Sequence, residues 1–137
     1  MVFLDANVLI YYLDETAEKH NDTVRLLQEL VDEQEQTATS HHVIEEVLFV
    51  ISRIQPDVDL LKVVHRISEI PYIILVEPSP NLAFAERYAS LSTDLKMGIN
   101  DALLLQLIVD AGITKLFSYD KQFVSKATQL AIDKVVK

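Results

Sequence analysis

Short apolar runs alternate along the chain with longer stretches whose apolar residues recur every three or four positions. This alternation predicts strands and helices in turn. Val2-Phe3-Leu4 reads as a buried strand ending at Asp5, and 7–14 as a helix with Val8, Leu9, Tyr12 and Leu13 on one side. Residues 17–35 carry an amphipathic helical pattern through Val24, Leu27, Leu30 and Val31. Thr37-Ala38-Thr39-Ser40 leans towards a strand. Helical patterns follow over 41–54 and 58–69, divided by Pro56-Asp57 as break and N-cap. Tyr72 to Val76 reads as a third strand. Ser79-Pro80 is expected to cap and open a helix that continues to about Leu95. Residues 101–111 form a helix that is apolar almost all round, and 115–118 a fourth strand. A helix over 121–131 and a short strand over 134–136 complete the pattern.

Strands separated by helices imply parallel βαβ units with helices on both faces, a three-layer α/β/α architecture around a parallel sheet. In such sheets ligands bind beyond the carboxyl ends of the strands. The residues to inspect there are Asp5, Ser40, Glu77 and Asp120.

At 137 residues, 50% hydrophobic and 24% charged, the chain has the size and content of one domain, 1–137, with a sizeable core. Two Gly and four Pro are too few for the frequent turns of a β-sandwich. The absence of Cys excludes disulfides, thiolate metal sites and a thiol nucleophile. No apolar run approaches about 18 residues, and no basic leader precedes an apolar segment, so a cytoplasmic protein without membrane contact is expected. The net charge of −9 argues against long-range attraction to nucleic acid, yet it is unevenly spread. Residues 1–93 carry 16 acids against 6 basic residues, whereas 94–137 carry 5 against 6.

That surplus directs attention to particular carboxylates. Asp5 and Asp120 close the first and fourth strands, and each can also cap the helix that follows. Asp101 opens an apolar helix, where the positive end of the helix dipole stabilises its anion by roughly 0.3–1 kcal/mol; Asn100 could cap in its place. Glu45 and Glu46 are adjacent on the 41–54 helix, about 100° apart. Glu46 falls about 110° from the centre of the apolar stripe, on its flank, and Glu45 about 150° away, towards solvent. Four carboxylates from four segments would repel one another at one sheet edge unless a divalent hard cation joined them. Oxygen-only ligation suits Mg²⁺ or Mn²⁺, and such a site can activate water against a phosphodiester. No Gly-rich phosphate loop supports nucleoside triphosphate binding.

Four segments together carry a family likeness: Phe3-Leu4-Asp5-Ala6-Asn7-Val8-Leu9; Thr39-Ser40 with Glu46 six residues after the serine; Asn100-Asp101-Ala102-Leu103-Leu104; and Phe117-Ser118-Tyr119-Asp120-Lys121-Gln122-Phe123. With them the sequence resembles a PIN-domain ribonuclease, in size like the stand-alone toxins of the VapC-like group. The resemblance implies a compact α/β/α domain, Mg²⁺- or Mn²⁺-dependent cleavage of single-stranded RNA to 5′-phosphate and 3′-hydroxyl ends, homodimers, and often a small antitoxin partner. It places metal ligation on Asp5, Glu46, Asp101 and Asp120. It has Asn7 orient Asp5, and Ser118 stand where the family commonly has Thr.

Other residues carry weaker signals. Lys96, Lys115, Lys121, Lys126 and Arg53 are candidate phosphate contacts. The four histidines do not have the spacing of a transition-metal site. Phe49 lies on an outward face with His42, Glu46 and Arg53; with Tyr11 or Tyr12 nearby it would form a dimer or antitoxin surface. Two other classes of function compete with the nuclease. A PIN-like binding module that associates with RNA or protein without cleavage need not retain the full acidic set. A phosphoacceptor with Asp5 as nucleophile calls for a second carboxylate at position 7 or a Lys at a late strand end; position 7 is Asn, and Lys121 lies beyond Asp120.

Overall fold

The computed structural model describes residues 1–135. Its centre is the first strand, β1 (Val2–Leu4), whose three side chains are fully buried. A parallel strand is wedged between helix layers on both sides, which is why this run is apolar without alternation. β1 is flanked by β2 (Thr37–Thr39) and β4 (Lys115–Phe117), with β3 (Ile73–Leu75) and β5 (Asp133–Lys134) at the edges. All pairings are parallel, in the order β3-β2-β1-β4-β5. Val2 lies opposite both Thr37 and Lys115.

Seven helices connect the strands among the described residues: α1 (Ala6–Leu13), α2 (His20–Asp32), α3 (His41–Ile54), α4 (Leu60–Ser68), α5 (Leu82–Leu95), α6 (Ile99–Asp110) and α7 (Lys121–Gln129). The chain steps outward from β1 to β2 and β3, then returns past β1 to β4 and β5. With right-handed crossovers, α1–α4 cover one face and α5–α7 the other. The packing agrees: α1 lies against α2, α3 and α4, while α5 lies against α6. Phe3, Leu9, Val43, Leu105, Ile108, Phe117 and Phe123 fill the core. The topology reverses between β1 and β4, so a crevice opens beyond their carboxyl ends.

The expected elements are all present, with shifted ends. The pattern over 17–35 becomes a helix only from His20 to Asp32. At 58–69 the cap is Asp59, not Asp57: its Oδ1 accepts from the Leu61 and Lys62 amides at 3.0 and 3.4 Å. At 79–95 the cap is Asn81, which accepts from the Phe84 amide at 3.3 Å, so Ser79-Pro80 lies in the preceding loop. α6 begins at Ile99 with Gly98 as its N-cap, which puts Asn100 and Asp101 inside the first turn. The third strand is less buried than its composition suggests, because it forms a sheet edge; Leu75 is 45% exposed. The last strand pairs at Asp133 and Lys134, and the expected Val136 lies outside the described residues.

Candidate active site

Asp5 ends β1 and caps α1. Its Oδ1 accepts from the Ala6 amide at 2.8 Å, and its Oδ2 accepts from the Ser118 hydroxyl at 2.7 Å. Ser118 directly follows β4, so this bond ties together the ends of the two strands that flank the crevice. The Ser118 oxygen in turn accepts from Asn7 Nδ2 at 3.2 Å and from the Asp120 amide at 3.1 Å. One donor and two lone pairs are thereby all used. Asn7 reaches Asp5 Oδ2 only at 3.5 Å, whereas its Oδ1 accepts from the Tyr119 amide at 3.1 Å. Its main contacts therefore staple the end of β1 to the end of β4, which fixes Asp5 through Ser118.

Asp120 caps α7, its Oδ1 accepting from the Gln122 and Phe123 amides at 3.0 and 3.1 Å. This leaves Oδ2 without a protein donor among the described residues. Asp101 and Glu46 have no such duties: neither carboxylate accepts a hydrogen bond from the described protein groups. The two other strand-end residues serve α3. Ser40 accepts from the Val43 amide at 3.2 Å, and Glu77 accepts from the His41 amide at 2.9 Å.

Asp5, Asn7, Glu46, Asp101 and Asp120 all border one cavity of about 550 Å³. His42, Glu45, Phe49 and Asn100 complete much of its wall. Glu45, expected to face solvent, shares this wall with Glu46, and both are exposed. Burial raises the Asp5 pKa; the Ser118 and Ala6 bonds oppose that rise and Asp120 adds to it. Glu46 is likewise raised, first by burial, then by Asp5 and Asp101, against an opposing pull from His42. Asp101 is raised by burial and by the charges of Asp120 and Asp5. Asp5, Glu46 and Asp101 resist ionisation first because they are withdrawn from water, and then because neighbouring carboxylates carry charge.

The donor set is oxygen-only and mutually repelling, the chemistry that a hard divalent cation satisfies. The side chains ring the cavity without converging: among the described residues, no group of three or more His, Asp or Glu is drawn together closely enough to hold a metal ion. A bound cation would therefore have to draw in the unbonded Glu46 and Asp101, while Asp5 stays where Ser118 holds it.

The remaining candidates separate by position. Tyr11 packs edge-on against Tyr119 at 5.4 Å, and Tyr12 faces Arg66 at 5.8 Å. Phe49 belongs to the acidic wall and carries the Arg53 guanidinium over its ring at 4.7 Å. Lys115 opens β4 and pairs with Glu35 at 3.2 Å, at the opposite end of the sheet from the acids. Lys96, Lys121 and Lys126 line hollows beside Asp101 and α7. Lys19, Arg25 and Lys134 line a further hollow with Tyr119, and sequence reasoning missed them because only the fold brings these segments together.

A parallel α/β domain whose strand-end crevice gathers four carboxylates is the class of molecule defined here. The family model described as the PIN domain matches residues 2–128, and the chain belongs to that family. Among solved structures the fold is similar to Mycobacterium tuberculosis VapC20, described as a sarcin-ricin loop cleaving toxin, at 16% identity and TM-score 0.69 over 91% of this chain and 94% of that one. It is also similar to VapBC-1 of nontypeable Haemophilus influenzae, at 15% identity and TM-score 0.68 over 100% of both chains. A third similar structure is FitAcB of Neisseria gonorrhoeae, at 16% identity and TM-score 0.63 over 93% and 94%. Identities this low speak to the fold alone. No curated protein matches the sequence.

Proposed function

We propose that this chain is a metal-dependent endoribonuclease cutting single-stranded RNA, and that it acts as the toxin of a toxin–antitoxin pair. The observation that carries the reading is the gathering of Asp5, Glu46, Asp101 and Asp120 around one crevice at the switch point of the sheet. These four would hold Mg²⁺ or Mn²⁺. A divalent ion there supplies positive charge to a phosphodiester and acidifies water at neutral pH. The protein's own part is positional. Ser118 and the Ala6 amide hold Asp5, Asn7 joins the two strand ends, and the backbone amides of α7 hold Asp120. Glu46 and Asp101 are free to close on a cation from the helices. No helix of the described residues is long and apolar enough to cross a membrane, which fits action on a polyanion in the cytoplasm. The VapBC and FitAB neighbours support a small antitoxin partner, and the family likeness a homodimer.

The test is incubation of the purified protein with unstructured RNA in Mn²⁺, in Mg²⁺ and in EDTA, beside Asp5→Asn and Asp120→Asn. Metal-dependent cleavage to 5′-phosphate ends, lost in both variants while cooperative unfolding is kept, is the expected result. Full activity in either variant would overturn the site assignment. RNA binding without cleavage in either metal would instead make the chain a non-catalytic binding module. Growth arrest on expression, relieved by a neighbouring small gene, tests the toxin role.

A further inference from the structure

The acidic cavity does not end at its own rim. Asp101 also walls a hollow of about 140 Å³ with Lys96, Gln122 and Lys126. Lys96, Gln122 and Lys126 are shared with a second hollow of about 470 Å³ that adds Lys121 and Ser125. Lys121 and Ser125 are shared with a third, of about 430 Å³, that adds Lys19, Lys134 and Tyr119. Ser118, the partner of Asp5, lines this last hollow, so the series bends around α7 and returns beside the acidic site.

Six of the chain's twelve basic residues border this path, in a molecule of net charge −9. Arg25 is held by Asp22 and Glu29, at 3.7 and 3.0 Å. Lys19, Lys96, Lys121, Lys126 and Lys134 enter no ion pair among the described residues, although acids are abundant elsewhere. Lys19 is steadied by the face of Tyr119, its ammonium 5.0 Å from the ring centre. Lys96 ends α5 with φ 53° and ψ 53°, a left-handed position that favours glycine, and thus keeps a lysine beside Asp101 at the expense of backbone strain. The opposite flank of the cavity, on α3, presents Glu45, Glu46 and Phe49.

Resting on the nuclease reading of the acidic cavity, we propose that an RNA strand seated there continues over α7, its phosphates bound by Lys96, Lys126, Lys121 and Lys19. Lysines are point charges without the planar fork that reads a fixed geometry, so the track binds the backbone and leaves base sequence unread. It also explains how so acidic a chain engages a polyanion: attraction is confined to one lane and the remaining surface repels.

The experiment measures anisotropy of a labelled, short unstructured RNA in EDTA, across about 50–200 mM salt, together with cleavage kinetics in Mn²⁺. Each phosphate neutralised on a single strand contributes about 0.7 to the slope of log K against log salt. Lys121→Gln with Lys126→Gln should therefore lower that slope by about 1.4 and weaken binding about tenfold at low salt. KM should rise with kcat within about twofold, because no reacting atom is touched. Lys62→Gln with Lys115→Gln removes the same charge elsewhere and should leave slope and KM unchanged. Lys96→Gly should raise the melting temperature yet weaken RNA binding. If wild type cleaves RNA and the α7 pair shows an unchanged slope and KM, the lane is wrong and the nuclease stands. Equal losses in the control pair overturn the lane in favour of net charge alone. Wild type that neither binds nor cleaves RNA removes the nuclease reading, and the lane falls with it.

Discussion

Carboxylates meet opposite company at the two ends of the parallel sheet. At the end where β1 and β4 begin, Glu35 accepts from the N-terminal ammonium at 3.0 Å and from Lys115 at 3.2 Å. Those bonds hold its pKa below the usual value. At the end where the same strands finish, Asp5, Glu46 and Asp101 have no cationic partner from Lys or Arg among the described residues, and all three are pushed up, first by burial and then by neighbouring carboxylates. One end spends its charges on joining strands, and the other keeps them apart around a cavity. A carboxylate whose ionisation the fold opposes is better explained by what it binds. The acidic end is itself divided: Asp5 and Asp120 double as helix caps, while Asp101 and Glu46 have no structural duty.

The division is broken most forcefully at Asp5. In Asp5→Ala, α1 loses its cap and the buried Ser118 hydroxyl loses its acceptor, a destabilisation of about 2–3 kcal/mol by denaturant unfolding. Asp5→Asn keeps only one of the two acceptor oxygens, so it should retain the bond from the Ala6 amide, lose the one from Ser118, and show a smaller loss than Asp5→Ala. Equal losses in both would mean that the charge, not the hydrogen-bond geometry, holds the strand ends together.

Asp101→Asn should behave in the opposite sense. The raised pKa means that the folded protein binds a proton at this site more readily than the unfolded chain does. The penalty is full above the folded pKa, is relieved as pH falls through it, and is gone below the unfolded value. At neutral pH without metal, Asp101→Asn should therefore be more stable than wild type, by no more than about 1 kcal/mol given its partial exposure. The advantage should vanish in acid. In saturating Mn²⁺ the order should reverse: a cation at 100 times its Kd stabilises by about 2.7 kcal/mol, and the variant should forfeit much of that. An identical melting response to Mn²⁺ in both proteins would place the metal elsewhere.

Glu35→Gln sharpens the contrast from the other end, with a smaller effect. A lowered pKa contributes stability that is present above the unfolded value, near 4.5, and is lost as pH falls through the folded value. The variant should be less stable than wild type at neutral pH by under about 1 kcal/mol, since the pair is partly exposed, and equal to it in strong acid. A difference that grows on acidification would contradict the sign of the pairing.

The strands and the acids that close them were legible because both are local: a three-residue apolar run ending in Asp needs no distant information. Helix starts were less so. Asp57 and Asp59 are both good caps, and so are Ser79 and Asn81; only the path of the loop decides between them. The bond from Ser118 to Asp5 spans 113 positions. The family likeness implies only that Asn7 orients Asp5; its bonds to Ser118 and to the Tyr119 amide, which staple the strand ends, need the fold. Lys115 was a candidate phosphate contact on charge alone. Its place at the start of a parallel strand puts it at the far edge of the sheet, which the direction of the strand already implies. Lys19 and Lys134 carry no local signal and become neighbours of Lys121 only through the fold.

The smallest stability effect is expected from the pair that composition cannot separate, Glu45 and Glu46. Both border the cavity, and the Glu46 pKa is raised first by burial and then by the charges of Asp5 and Asp101, so its carboxylate lies within their reach. Helix geometry gives the same ranking, because Val43, Val47 and Ile51 form the buried stripe and Glu46 lies nearer its flank. Glu46→Gln should remove most RNA cleavage and much of the Mn²⁺-linked rise in melting temperature, while leaving the metal-free protein no less stable. Glu45→Gln should alter stability by no more than about 0.5 kcal/mol, as at an ordinary exposed site, and keep nearly full activity. The two variants are assayed side by side on one unstructured RNA in Mn²⁺. A reversed ranking would mean that metal binding turns α3 by about one residue, bringing Glu45 over the cavity, and that the charges sensed by Glu46 in the metal-free protein are not those that position the cation.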